Sequence, residues 1–269
     1  MGVLLLCACG ANTAKKNYVL AEKLWTDKKY AAAVTEFDKV YQKDPHGKLG
    51  LQALYRSATT ESIFLSEYSE AIKRFRLFVD RRGDDADGLA SLWDAEKQIG
   101  ELLYSKTEQY DQAIVLYEKL IKQAPTSDEV PEFQFRIAKS HFFLRQFDQA
   151  VQKYQEIESK FPQSPLAEDA AYEIGLTQFT RGEQHPGGAG PGMGSYQTAI
   201  ESYQRFIKKY PASPRTPEAR FGIASCLEEL DQIDAAYLIY QSLLSTYPAP
   251  KVIQIKLVRL RERKAQRSR

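Results

Sequence analysis

Apolar and polar positions follow a helical period along this chain, and one apolar pattern returns six times. An aromatic residue is followed after three positions by alanine and after four more by a second aromatic. The copies are Tyr30/Ala33/Phe37, Tyr68/Ala71/Phe75, Tyr110/Ala113/Tyr117, Phe147/Ala150/Tyr154 and Tyr196/Ala199/Tyr203, with Ile233/Ala236/Tyr240 as the sixth. Residues so spaced share one helix face, so each triplet predicts the buried stripe of a helix. In the first copy Tyr18, Ala21 and Leu24 form a similar stripe upstream, which pairs two helices in one unit. Pro45, Pro125, Pro162, Pro211 and Pro248 close five of the copies, because proline cannot continue a helix. Successive alanines stand 37 to 42 residues apart, with one step of 49. A period of this size predicts stacked helical hairpins, each burying its apolar face only against its neighbours.

The turns carry matching signals. In Phe161-Pro162-Gln163-Ser164-Pro165 and Tyr210-Pro211-Ala212-Ser213-Pro214 the serine is placed to cap the next helix, with proline as its first residue. Glu168, Asp169 and Glu218 then favour the positive end of that helix. Two stretches break the period. One is the Asp-rich joint at 81–88, and the other is the Gly/Pro-rich insertion at 182–195, which accounts for the long step. No Gly-Lys-Ser/Thr follows those glycines, so they predict a surface loop and not a phosphate cradle.

The spacing resembles the tetratricopeptide repeat (TPR) family. Ala21/Ala33/Pro45, Ala138/Ala150/Pro162 and Ala224/Ala236/Pro248 stand at its small–small–proline positions, and Gly100 and Gly175 supply the first small residue in the third and fifth copies. The resemblance implies an all-α, right-handed superhelical solenoid of about six hairpins over residues 15–250, preceded by a short N-terminal segment at 1–14. A basic capping helix is expected at 251–269. It also implies a concave surface lined by the first helix of each hairpin. In register, that surface carries Tyr18, Glu22 and Trp25, then Phe135, Lys139 and Phe142, then Tyr172 and Phe179, then Phe221. Such a groove suits an extended peptide held by apolar side chains, with Lys139 available for a carboxylate.

Composition narrows the function classes. The 269 residues are 43% hydrophobic and 27% charged, a globular balance. From Lys251 onward eight Lys/Arg face one acid, a charge of +7, so the remainder of this +2 chain carries −5. The basic end reads as a solvated cap that also has the charge to meet phospholipid head groups. An acidic body with its aromatics at packing positions argues against nucleic acid as a partner. His46, His141 and His185 have no metal-ligand spacing, no Gly-x-Ser-x-Gly occurs, and neighbours such as Glu228 and Glu229 point to different sides of a helix. No enzyme activity, cofactor, metal or small-molecule substrate is expected.

Cys226 lies in an apolar helical stretch and is expected to be a small buried hydrophobe. Cys7 and Cys9 are different. Leu6-Cys7-Ala8-Cys9-Gly10 resembles a bacterial lipobox, with Cys9 as the lipid-bearing residue and Asn12 to Lys16 as a tether, although a redox or metal Cys-x-Cys is a second reading. The apolar run before it is far below the ~20 residues needed to span a bilayer. A lipobox followed by such repeats resembles the BamD family of outer-membrane assembly lipoproteins, and Tyr68-x2-Ala71-Ile72-x2-Phe75-x2-Phe78 looks like that family's second repeat. The resemblance implies a non-catalytic scaffold anchored by lipid on the periplasmic face of the outer membrane, binding envelope proteins during β-barrel assembly. The Tyr210-Pro211 and Tyr247-Pro248 turns look equally like the CpoB coordinators of the Tol–Pal system, and a structural subunit of a secretion, motility or pilus apparatus is a third reading.

Overall fold

The structure, a computed structural model, describes the backbone of residues 3–82, 89–183 and 191–267 and the side chains of residues 13–81, 92–183 and 194–267. Within them every regular element is a helix. The chain divides into two compact units, residues 1–127 and 128–269.

The first unit holds three hairpins. They pair α1 (Val3–Thr26) with α2 (Tyr30–Lys43), α3 (Lys48–Thr60) with α4 (Tyr68–Arg82), and α5 (Leu89–Ser105) with α6 (Tyr110–Gln123). The second unit repeats the plan with α7 (Val130–Phe143) and α8 (Phe147–Lys160), α9 (Pro165–Glu183) and α10 (Pro191–Lys209), and α11 (Thr216–Glu229) and α12 (Ile233–Leu243). The closing helix is α13 (Pro250–Arg267). This is the all-α hairpin repeat expected from the spacing.

The repeated alanines explain how. Ala33, Ala71, Ala113, Ala150, Ala199 and Ala236 are all fully buried, and the aromatics four residues on, Phe37, Phe75, Tyr117, Tyr154, Tyr203 and Tyr240, are at most 3% exposed. A methyl group lets the paired helix approach, and the ring one turn later fills the space this opens. Five hairpin turns are made alike. Lys28, Ser66, Glu108, Arg145 and Asp231 adopt φ between 53° and 64°, ending the first helix in a left-handed residue whose successor's N–H closes back on that helix.

Several local expectations change. Asn12 to Lys16, read as a tether, lie within α1, and Ala14 is buried against Ala33 and Phe37. Ser164 caps α9 as expected, accepting from the Leu166 N–H at 3.3 Å. Ser213 instead accepts from the Arg215 N–H at 3.1 Å, and α11 opens only at Thr216, because a turn from Ser213 to Thr216 intervenes. The Gly/Pro-rich stretch is helical at both flanks, with Glu183 ending α9 and Pro191 starting α10, while residues 184–190 and the 83–88 joint lie outside the described residues. One turn of π-helix, Glu61–Leu65, prolongs α3.

Helix α13 covers the last hairpin. Ile253, Leu257 and Leu260 are buried against Ala236, Tyr240 and Leu243. Its cations are not left for an anionic surface to the extent the sequence suggests. Lys256 reaches Glu228 at 2.9 Å, Arg263 reaches Asp231 at 3.2 Å, Lys264 reaches Asp234 at 2.5 Å, and Arg267 also pairs with Asp231.

Candidate functional site

Three of the expected groove residues converge in the second unit. Tyr172, Leu176, Phe179 and Glu183 form one stripe of α9, and Glu218, Phe221, Gly222, Ser225 and Glu229 form a facing stripe of α11. Tyr203 of α10, Tyr247 from the turn after α12 and Lys256 of α13 complete the lining of a cavity of about 330 Å³. Its floor depends on two missing side chains. A Cβ on Gly175 would stand 2.6 Å from the Tyr203 ring and one on Gly222 2.5 Å from it, so only glycine on both helices lets that ring lie between them. The wall rings are fixed by neighbours: Phe221 stacks on Tyr247 at 5.0 Å, Tyr172 meets Phe206 edge-on at 5.7 Å, and Phe179 meets Tyr196 at 5.8 Å.

The rim is acidic. Glu183, Glu218 and Glu229 line the cavity against a single cation, Lys256, which is already held by Glu228. Glu218 Oε2 is buried without a hydrogen-bond partner. Burial pushes the Tyr172 hydroxyl up to about 12, and Glu218 adds to the shift. Burial and Glu218 likewise raise Tyr247. The Glu183 carboxyl is raised by burial and then by Glu229, with Lys256 pulling the other way.

Nothing in the lining is set up as a nucleophile. The Ser225 hydroxyl is buried in a 2.9 Å hydrogen bond with Tyr240. Behind it the Cys226 thiol is fully buried and pushed up to about 12, chiefly by burial, and a thiol held neutral is inert. Among the described residues no three His, Cys, Asp or Glu side chains gather as metal ligands, and no helix is long and apolar enough to cross a membrane.

The remaining expected groove residues lie elsewhere. Tyr18 and Trp25 belong to the first unit, where Tyr18 packs edge-on against Phe37 at 5.5 Å and Trp25 packs against Phe64 at 5.7 Å. Phe135 packs on Tyr154 at 5.6 Å and Phe142 on Phe147 at 6.0 Å, so both bridge α7 and α8. Lys139, read as available to a partner's carboxylate, instead donates to Glu173 at 3.0 Å and is 21% exposed. The side chain of Cys9 lies outside the described residues. Sequence reasoning missed Glu183, Glu218, Glu229, Tyr247 and Lys256. Helical spacing from Tyr172 and Phe221 points to the first three, whereas Tyr247 reaches the cavity from the turn after α12 by stacking on Phe221, and Lys256 through the way α13 docks.

A larger cavity of about 450 Å³ lies in the first unit between α4, α5 and α6, with Val79, Ile99, Leu103, Val115 and Leu116 among its lining residues. None of the expected groove residues reaches it.

Residues 98–249, more than half of the chain, match the family described as YfiO, outer membrane lipoprotein. The chain belongs to this family. The matched stretch of this BamD-like lipoprotein family contains α9, α11 and Tyr247, and it ends before Lys256. Solved structures resemble the whole fold. The C-terminal part of a TPR-containing protein from Cytophaga hutchinsonii superposes with a TM-score of 0.57 at 17% identity, covering 91% of this chain and 85% of that one. A TPR protein from Parabacteroides merdae gives 0.53 at 13%, covering 93% and 98%. PilW, a type IV pilus biogenesis factor, gives 0.51 at 15%, covering 91% and 98%. At these identities the likeness shows the fold alone. No curated protein matches the chain.

Proposed function

We propose that this protein is a non-catalytic scaffold of the bacterial envelope, anchored by a lipid on Cys9 to the periplasmic face of the outer membrane, with a BamD-like part in β-barrel assembly. The family match over residues 98–249 carries this reading, because it names an outer-membrane lipoprotein and spans the α9–α11 groove. The Leu6-Cys7-Ala8-Cys9 lipobox supports the anchor. A cavity lined by rings locked on rigid helices supports protein capture over chemistry.

Two measurements test the proposal. Membranes of the native host, labelled with radioactive palmitate, should yield a labelled protein that loses its label and its membrane association in Cys9→Ser. Purification of the intact protein from detergent-solubilised membranes should bring down a β-barrel subunit. Recovery with Tol or peptidoglycan-linked proteins instead, or with a multi-ring apparatus, would replace the assembly role. An unlabelled soluble protein would remove the anchor.

A further inference from the structure

Resting on the reading of the chain as a protein-binding scaffold, we infer that the α9–α11 groove receives an arginine side chain from an extended segment of a partner polypeptide. The argument comes from how the chain treats similar surroundings elsewhere. In the first unit Arg56 lies 4.6 Å over the Trp25 ring and makes two 3.0 Å hydrogen bonds to Glu22. In the second unit Lys139 pairs with Glu173 and lies 5.7 Å from the Phe142 ring. At both places a carboxylate next to a half-buried ring is closed by a cation of the chain itself.

In the α9–α11 groove Arg215 closes Tyr172 with Asp169, whereas among the described residues the lining carboxylates Glu183, Glu218 and Glu229 have no such cation. Among the described residues Glu183, Glu218 and Glu229 form no ion pair with Lys256, which is committed to the 2%-exposed Glu228. One oxygen of Glu218 is buried with no donor facing it. The rings of Tyr172, Phe221 and Tyr247 present faces of the kind that attract a cation, and Arg215 already lies 5.0 Å over Tyr172 while pairing with Asp169. Arginine fits better than lysine because its flat fork stacks on a ring while donating sideways to a carboxylate. The volume suits one long side chain and its apolar neighbours, so the occupant is a strand-like segment and not a folded domain.

The test titrates the full chain into three fluorescein-labelled ten-residue peptides of alternating leucine and serine, read by fluorescence polarisation. Their central residue is arginine, citrulline or glutamate. The arginine peptide should bind at least about tenfold tighter than its neutral citrulline twin, with the glutamate peptide weakest. Glu229→Gln, at an exposed position, and Glu218→Gln should each narrow the gap, and together they should erase it, with the helical circular dichroism unchanged. Rising salt should narrow it as well. Equal binding of all three peptides would leave an apolar groove and overturn the arginine assignment while the scaffold reading stands. An arginine preference that survives the double variant overturns it too, as does failure of every peptide to bind. The scaffold reading itself is decided separately, by the co-purification.

Discussion

Lys139 and Glu173 meet across successive hairpins, with Nζ 3.0 Å from Oε1 and the carboxylate side chain 9% exposed. The contact joins α7 to α9 and uses a residue that sequence alone places in a binding groove. Lys139→Glu would set two carboxylates together in a partly buried site, with an expected cost of about 3 kcal/mol. Glu173→Lys added to it should recover part of that loss, since the pair is then re-formed in reverse. Urea unfolding followed by circular dichroism measures both. If the single variant is as stable as the parent, the pair has no structural part.

The Tyr203 ring imposes a stricter condition. Gly175→Ala and Gly222→Ala each drive a methyl group within 2.6 Å of it, and a ring held from both sides cannot yield. Each should cost about 1–3 kcal/mol from overpacking. Tyr203→Leu should cost stability alone yet relieve either alanine variant, so the double variants should be less destabilised than the sum of the singles. Strict additivity in the measured unfolding energies would refute the close approach.

How legible this was depended on the range of each interaction. The Ala33/Phe37 type of spacing is local, so it announced the hairpins and their buried face without knowledge of the third dimension. The ion pairs are not local: Glu22–Arg56 and Lys139–Glu173 are each separated by 34 residues, Asp38–Arg74 by 36 and Asp148–Arg181 by 33. They fall near one repeat length, so opposite charges one period apart are the trace these pairs leave in the sequence. The ring contacts of Tyr18, Phe135 and Phe142 needed side-chain directions that periodicity does not supply. The glycine insertion misled in a different way. It looks like one long loop by composition, yet Gly182 is part of α9, where its missing side chain leaves room for the Tyr196 ring.

Glu61 makes unit stability sensitive to pH. It stands in the π-helical turn after α3, is 2% exposed, and hydrogen-bonds Arg74 at 2.9 Å. Burial, the largest cause, pushes its carboxyl up to about 7 from an ordinary 4.5, against the pull of Arg74. Between those values the folded chain keeps a proton that the unfolded chain has released, so stability falls as pH rises through this window. Glu61→Gln abolishes the titration. The melting temperature of the parent relative to Glu61→Gln should therefore decline from pH 5 to pH 7.5, followed by the fluorescence of Trp25 and Trp93 in the same unit. Parallel curves for the two proteins would mean that Glu61 titrates normally.

The same reasoning governs how α13 is held. Glu228 is 2% exposed and faces Lys256 at 2.9 Å, Arg263 at 3.6 Å and Arg259 at 3.7 Å, with the Tyr240 hydroxyl donating to it at 3.4 Å. One buried carboxylate thus gathers three cations from a helix that otherwise docks through Ile253, Leu257 and Leu260. Glu228→Ala removes the counter-charge that Lys256 and Arg259 face, while Arg263 keeps Asp231, which should cost about 3 kcal/mol. Glu228→Gln keeps the hydrogen bonds but not the charge and should fall between. The apolar contacts remain in both, at about 1.5–3 kcal/mol for each fully buried side chain, so α13 should loosen without being lost. Amide hydrogen exchange of residues 250–267 would report this directly. Faster exchange confined to α13 in Glu228→Ala, with α7 and α8 unchanged, is the expected pattern. Unchanged protection of α13 would show that its apolar face alone fixes it.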